Sequence, residues 1–157
     1  MRILLIIAVL IAIVAPHAAA AGSFSYRIDG IGLKLPIGAR IEREDLGIRI
    51  ELPFTAGTTL VEKYVLIEPT ATERDLGDGM EVGGVSLWCE SGSEGAAGSV
   101  YDYVKCSAIL NDGRRIAITF VLHSVNPEMF DSPPPPFDRA QEVLPFWGII
   151  LSLHALP

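Results

Sequence analysis

The chain has 157 residues, 50% of them hydrophobic and 20% charged, enough for one domain with a buried core, and no repeat or composition shift calls for a second. Its net charge is −7 with the acids scattered rather than blocked, the pattern of a solvated surface. That balance excludes the basic footprint that nucleic acid or an anionic membrane surface requires.

Arg2 precedes an apolar run over residues 3–15, followed by Pro16 and four alanines at 18–21, the layout of a secretory signal. The run is about 13 residues, short of the roughly 20 that span a bilayer, so cleavage near Ala20 or Ala21 is expected rather than retention as an anchor. No cysteine sits at the cleavage point, which disfavours a lipid anchor. The leader is expected to occupy residues 1–21 and a single domain residues 22–157. Its removal takes away Arg2 and makes the rest one unit more acidic. The expected location is secreted or periplasmic, with no stable membrane insertion after cleavage.

Strand signals come next. Phe24, Tyr26 and Ile28 alternate with polar residues, Asp29-Gly30 turns the chain, and Ile31, Leu33 and Leu35 alternate up to Pro36, a first hairpin. The charged stretch 40–47 reads as a surface turn or short helix leading to a strand over 48–52. Another strand covers 60–68 (LVEKYVLIE) and stops at Pro69. Residues 70–84 are polar and glycine-rich and read as a long surface loop. Asp75, Asp78 and Glu81 lie within it, but their spacing does not fit a calcium loop, and no metal is expected. A strand over 85–90 (VSLWCE) is followed by the glycine-rich stretch 91–99, which lacks the Lys-Ser/Thr ending of a phosphate loop and reads as a connector.

Residues 100–124 (VYDYVKCSAILNDGRRIAITFVLHS) are two long strands joined through Asn111-Asp112-Gly113, residue types that tolerate a tight hairpin turn. Neither parity of the second strand is strongly polar, so it is expected at the centre of the sheet with both faces covered. The proline-rich segment 126–136 is expected to cross as an extended spacer. Val143, Phe146, Trp147, Ile150 and Leu151 fall at helical spacing. Because Pro145 suits a first helical position, the firm helix is expected over 145–153, with 138–144 extended or a separate turn.

An even cysteine count in an exported chain points to a Cys89–Cys106 disulfide, and strand parity places both thiols on apolar faces. Two buried free thiols are the competing arrangement. His123 at the end of the central strand, with Ser124, and with Asp102, Asp112 or Asp131 in space, contains the residue types of a nucleophile, base and orienting acid. No nucleophile elbow or oxyanion loop is recognisable, so no catalytic residue is assigned. His123, Ser124 and Asn126 are expected to form a ligand-binding or structural polar site, with His123 holding the strand end against the Asn126-Pro127 turn. Trp88 and Trp147, with Tyr101 and Tyr103, are candidates for lining a ligand cleft, against packing in the core or on the sheet surface.

Leu60-Val61-Glu62-Lys63, Gly95-Ala96-Ala97-Gly98 followed by Tyr101, residues 120–124 with Asn126-Pro127, Phe137-Asp138 and residues 146–153 together resemble a group of exported bacterial proteins of unassigned function. The opening hairpin with Gly32-Leu33-Lys34-Leu35-Pro36, and a closing helix after a central strand pair, are similar to the PsbP and Mog1-like α+β fold. The resemblance implies an antiparallel sheet with flanking helices, the C-terminal one packed on the sheet, in proteins that act as accessory or binding subunits. The lysine-rich surface of photosystem partners is missing. The expected function is thus a non-enzymatic accessory or binding module of the bacterial cell envelope, without cofactor, for a protein or small-molecule partner. A hydrolase using His123 and a self-assembling structural protein are the rivals.

Overall fold

Short-range turn chemistry sets the first hairpin. In the computed structural model, which describes residues 22–28, 30–70, 79–110 and 112–156, β1 (Ser23–Ile28) and β2 (Ile31–Pro36) pair antiparallel with Ile28 opposite Ile31. Gly30 supplies the left-handed backbone there, at φ 83°. The expected leader, Asp75 and Asp78 lie outside the described residues.

The main sheet has seven antiparallel strands: β3 (Arg40–Glu44), β4 (Gly47–Glu51), β5 (Leu60–Pro69), β6 (Met80–Val82), β7 (Val85–Ala96), β8 (Ser99–Ile109) and β9 (Arg115–Val125). Their order is β3-β4-β5-β9-β8-β7-β6, so β9 is the middle strand, as expected. Helix α1 (Arg139–Ser152) follows, and β10 (His154–Ala155) returns to β2 to complete a small three-stranded sheet. Ile31, Leu33 and Leu35 of β2, Ile50 of β4, Ile118 and Phe120 of β9, and Phe146 and Ile150 of α1 belong to one buried cluster. Among the described residues the architecture is α+β, mainly antiparallel sheet with one C-terminal helix packed on it. No helix among the described residues is long and apolar enough to cross a membrane.

Five expectations are corrected. Residues 40–44 form an edge strand, not a turn or helix; only Ile41 of β3 is even partly buried, so an edge position with both faces wet hides the alternation that marks a strand. The expected loop over 70–84 contains the short strand β6, paired to β7. The stretch 91–99 is no connector: β7 continues to Ala96 and turns at Ala97-Gly98, where φ is 41° and 87°. Its glycines carry no side chain to display a pattern, and the absent Cβ of Gly92 leaves room for the Tyr103 hydroxyl.

Helix α1 starts at Arg139, six residues before Pro145. The Asp138 side chain caps it by accepting from the Gln141 amide, and burial of Glu142, Phe146, Ile149 and Ile150 offsets the backbone bond that Pro145 cannot make. In the buried stripe Ile149 replaces Leu151, which is 65% exposed. Finally, the two faces of β9 are covered unequally. Ile116, Ile118, Phe120 and Leu122 are buried, while on the other side Val121 is buried but Ala117, Thr119 and His123 stay partly exposed, as an antiparallel sheet permits.

Cys89 and Cys106 sit directly opposite each other on β7 and β8 and form a disulfide, with Cα atoms 4.1 Å apart. Cys106 is buried in the core and Cys89 packs against it. Closing a 17-residue separation removes conformations from the unfolded chain. Cys106→Ala is expected to lower stability by about 3 kcal/mol. Denaturant melts of oxidised wild type and variant measure it, and thiol titration of unfolded, non-reduced wild type should find none free.

After β9 a single 3-10 turn (Pro127–Met129) is capped by Asn126, whose side chain accepts from the Glu128 amide. The proline run is extended, and the Pro135 carbonyl accepts from the Thr59 amide at 2.9 Å, which pins it beside the start of β5.

Candidate functional site

His123 projects from the open face of β9 between β5 and β8. Glu62 and Tyr101 are its in-register neighbours. Nδ1 is 3.0 Å from Glu62 Oε2, and Nε2 is 3.0 Å from Ser99 Oγ. With Nδ1 protonated, the ring donates to Glu62 and accepts from the Ser99 hydroxyl. Tyr101 stacks on it at 4.4 Å between ring centroids. Ser99, His123 and Glu62 therefore form a chain with the polarity of a nucleophile, base and orienting acid.

The anticipated partners are elsewhere. Ser124, one residue on, points to the buried face, where its hydroxyl donates to the Val100 carbonyl at 3.4 Å. Asn126 is spent on the 3-10 turn, so His123 ties β5 to β8 rather than the strand end to that turn. Asp112 is engaged by Arg114, Asp102 lies under the sheet, and Asp131 is exposed beyond the turn. The Arg114 amide and guanidinium, opposed by partial burial, hold the Asp112 carboxyl below its usual range. Trp88 and Trp147 do not share a cleft: Trp147 packs beside Phe146 at 5.1 Å, whereas Trp88 has the parity of Glu90 and Gly92, on the open face. Tyr103, on that face too, lies beneath the Lys105 ammonium at 4.3 Å.

A second arrangement lies on the covered face, where β7, β8 and β9 meet the first turns of α1. A cleft of about 430 Å³ opens there. Val104, Phe120, Leu122 and Val143 supply an apolar floor, while Ser91, Ser93, Asp102 and Arg139 supply polar groups. The disulfide joins β7 to β8 one same-face row from Ser91 and Val104.

Asp102 is the unusual residue. Its side chain is 8% exposed, Oδ2 is held by the Arg139 guanidinium, and among the described residues Oδ1 is buried with no hydrogen-bond partner. An unsatisfied buried acceptor costs about 1–3 kcal/mol, more when charged, so it calls for a donor beyond the described residues.

A second charged pair is buried at both members, and both of its carboxylate oxygens are hydrogen-bonded. Lys63 Nζ is 2.6 Å from Glu142 Oε2, and Oε1 accepts from the Thr55 amide at 3.1 Å and its hydroxyl at 2.8 Å. It reads as structural. Glu81 accepts from the Ser86 hydroxyl at 3.2 Å, and among the described residues no group of three His, Cys, Asp or Glu is placed to hold a metal ion.

Glu62, Ser99 and Arg139 carry no signal in the sequence that marks them as site residues. Each is an ordinary surface residue in sequence, and only strand register or helix placement brings it to its partner. The family models and the curated proteins compared with this chain contain no match to it.

Proposed function

We propose that the protein is an exported binding module of the bacterial cell envelope, related in fold to the PsbP and Mog1-like proteins, that takes a small amphipathic ligand in the cleft between β7–β9 and α1. The observation that carries this reading is the buried Asp102 Oδ1, unpartnered among the described residues, beside an apolar floor. The leader-like first 21 residues and the cysteine pair support export.

Titration of isotope-labelled protein with indole, a compact apolar donor, is expected to move the backbone amide signals of Val104, Leu122 and Val143. Ser91→Trp, which fills the cleft from its rim, is expected to weaken that response at least tenfold. Shifts that map to the open face, or a Ser91→Trp response equal to wild type, refute the cleft as the binding site.

A second reading, a hydrolase, is favoured by one observation, the Ser99–His123–Glu62 chain. In that reading Ser99 Oγ attacks an ester carbonyl and passes its proton to His123 Nε2. The imidazolium then protonates the leaving alcohol, and water, deprotonated by the same nitrogen, releases the acid and restores Ser99. Turnover of p-nitrophenyl acetate by wild type that is lost in both Ser99→Ala and His123→Gln, at unchanged melting temperature, would favour it. Equal background rates in all three proteins, with lower stability for His123→Gln, leave the histidine a structural tie.

A further inference from the structure

We infer that the ligand of the cleft is a zwitterion, an α-amino acid with an apolar side chain, whose ammonium meets Asp102 Oδ1 and whose carboxylate meets Arg139. The inference rests on the binding reading above and gives it a chemical class. Asp102 presents an acceptor with no partner of its own among the described residues, inside a side chain more than nine-tenths buried. An ammonium brings three donors to such an oxygen, and its positive charge is favoured beside a carboxylate.

Arg139 complements it. The guanidinium uses one nitrogen on Asp102 Oδ2, carries five N–H donors in all, and is 60% exposed, so donors remain at the cleft mouth for a carboxylate. The protein pair is electrically neutral as a unit. A ligand with only an amine, or only an acid, would leave a net charge at a half-buried site, whereas a zwitterion adds none. Val104, Phe120, Leu122 and Val143 then receive an apolar side chain, with the Ser91 and Ser93 hydroxyls at the polar edge.

The test compares four probes by calorimetric titration of the disulfide-intact protein: L-leucine, leucinamide with the amine alone, N-acetyl-L-leucine with the carboxylate alone, and uncharged indole. L-leucine is expected to bind at least tenfold more tightly than either single-charge analogue. Asp102→Asn, which keeps the shape and removes the charge, is expected to reverse the order in favour of N-acetyl-L-leucine. Arg139→Gln alters an exposed side chain and provides the reverse test should Asp102→Asn fail to fold; there leucinamide should match or exceed L-leucine. Leucinamide equal to L-leucine in the wild type overturns the inference in favour of a simple cation site. Indole binding with none of the leucine probes overturns it while leaving the cleft a binding site. Silence from all four overturns both readings.

Discussion

Lys63→Met is expected to lower stability by about 3–5 kcal/mol, because it strands a buried carboxylate rather than because it removes a favourable pair. Lys63 is 3% exposed and Glu142 6% exposed, and the ammonium is the only cation on that carboxylate among the described residues. The double variant Lys63→Met with Glu142→Leu is expected to recover most of the loss, since both desolvation costs vanish together. A single variant as stable as wild type in urea melts would show that water reaches Glu142.

The same group makes the fold acid-sensitive. Burial by itself pushes the Glu142 carboxyl up, but hydrogen bonds from Lys63 and from the Thr55 hydroxyl and amide, with the Lys63 charge, outweigh it and hold the group below the usual carboxylate range. A depressed folded pKa means that the unfolded chain binds the proton more readily. The contribution is therefore complete above the unfolded value near pH 4.3 and is lost as pH falls through the lower folded value. Wild type should lose stability over that interval, and Glu142→Gln should show a shallower fall from a lower starting point.

Phe146→Ala is expected to cost about 3–5 kcal/mol, a large share of the roughly 5–15 kcal/mol that holds a typical domain together. Phe146 has no exposed surface and stacks on Phe120 of the central strand at 4.9 Å between centroids. Leu151→Ala, on the same helix but 65% exposed, should stay within about 0.5 kcal/mol of wild type. Cooperative thermal melts of the two variants separate a helix that completes the core from one that merely leans on it. Comparable melting temperatures would mean that the sheet holds without α1.

Pro145 and Leu151 show how far helix reading from sequence reaches. Spacing identified Phe146, Trp147 and Ile150, but a proline at 145 argued for a late start, and nothing in the pattern reveals that Glu142 is needed inward by Lys63. Asp138 as a cap was the available signal for the earlier start. Strand β5 presents the same lesson. Simple alternation from Leu60 would turn Glu62 inward and Lys63 outward, yet the register shifts between Leu60 and Glu62, so Leu60 and Lys63 both face the core and Glu62 reaches His123.

The sequence by itself determined what depends on neighbours along the chain: the opening hairpin, the long hairpin of β8 and β9, the central place of β9, and the parity that lets Cys89 meet Cys106. Alternation and turn chemistry act over a few residues and need no partner to be visible. Only the tertiary structure decided which distant residues meet. His123 finds Glu62 across 61 positions and Ser99 across 24, Lys63 finds Glu142 across 79, and Asp102 finds Arg139 across 37. Those meetings depend on register, on one bulge and on where a helix docks, which many weak contacts determine together. Tertiary structure also left one acceptor of Asp102 without a partner among the described residues, because Arg139 reaches its other oxygen from the first turn of a helix docked over the sheet.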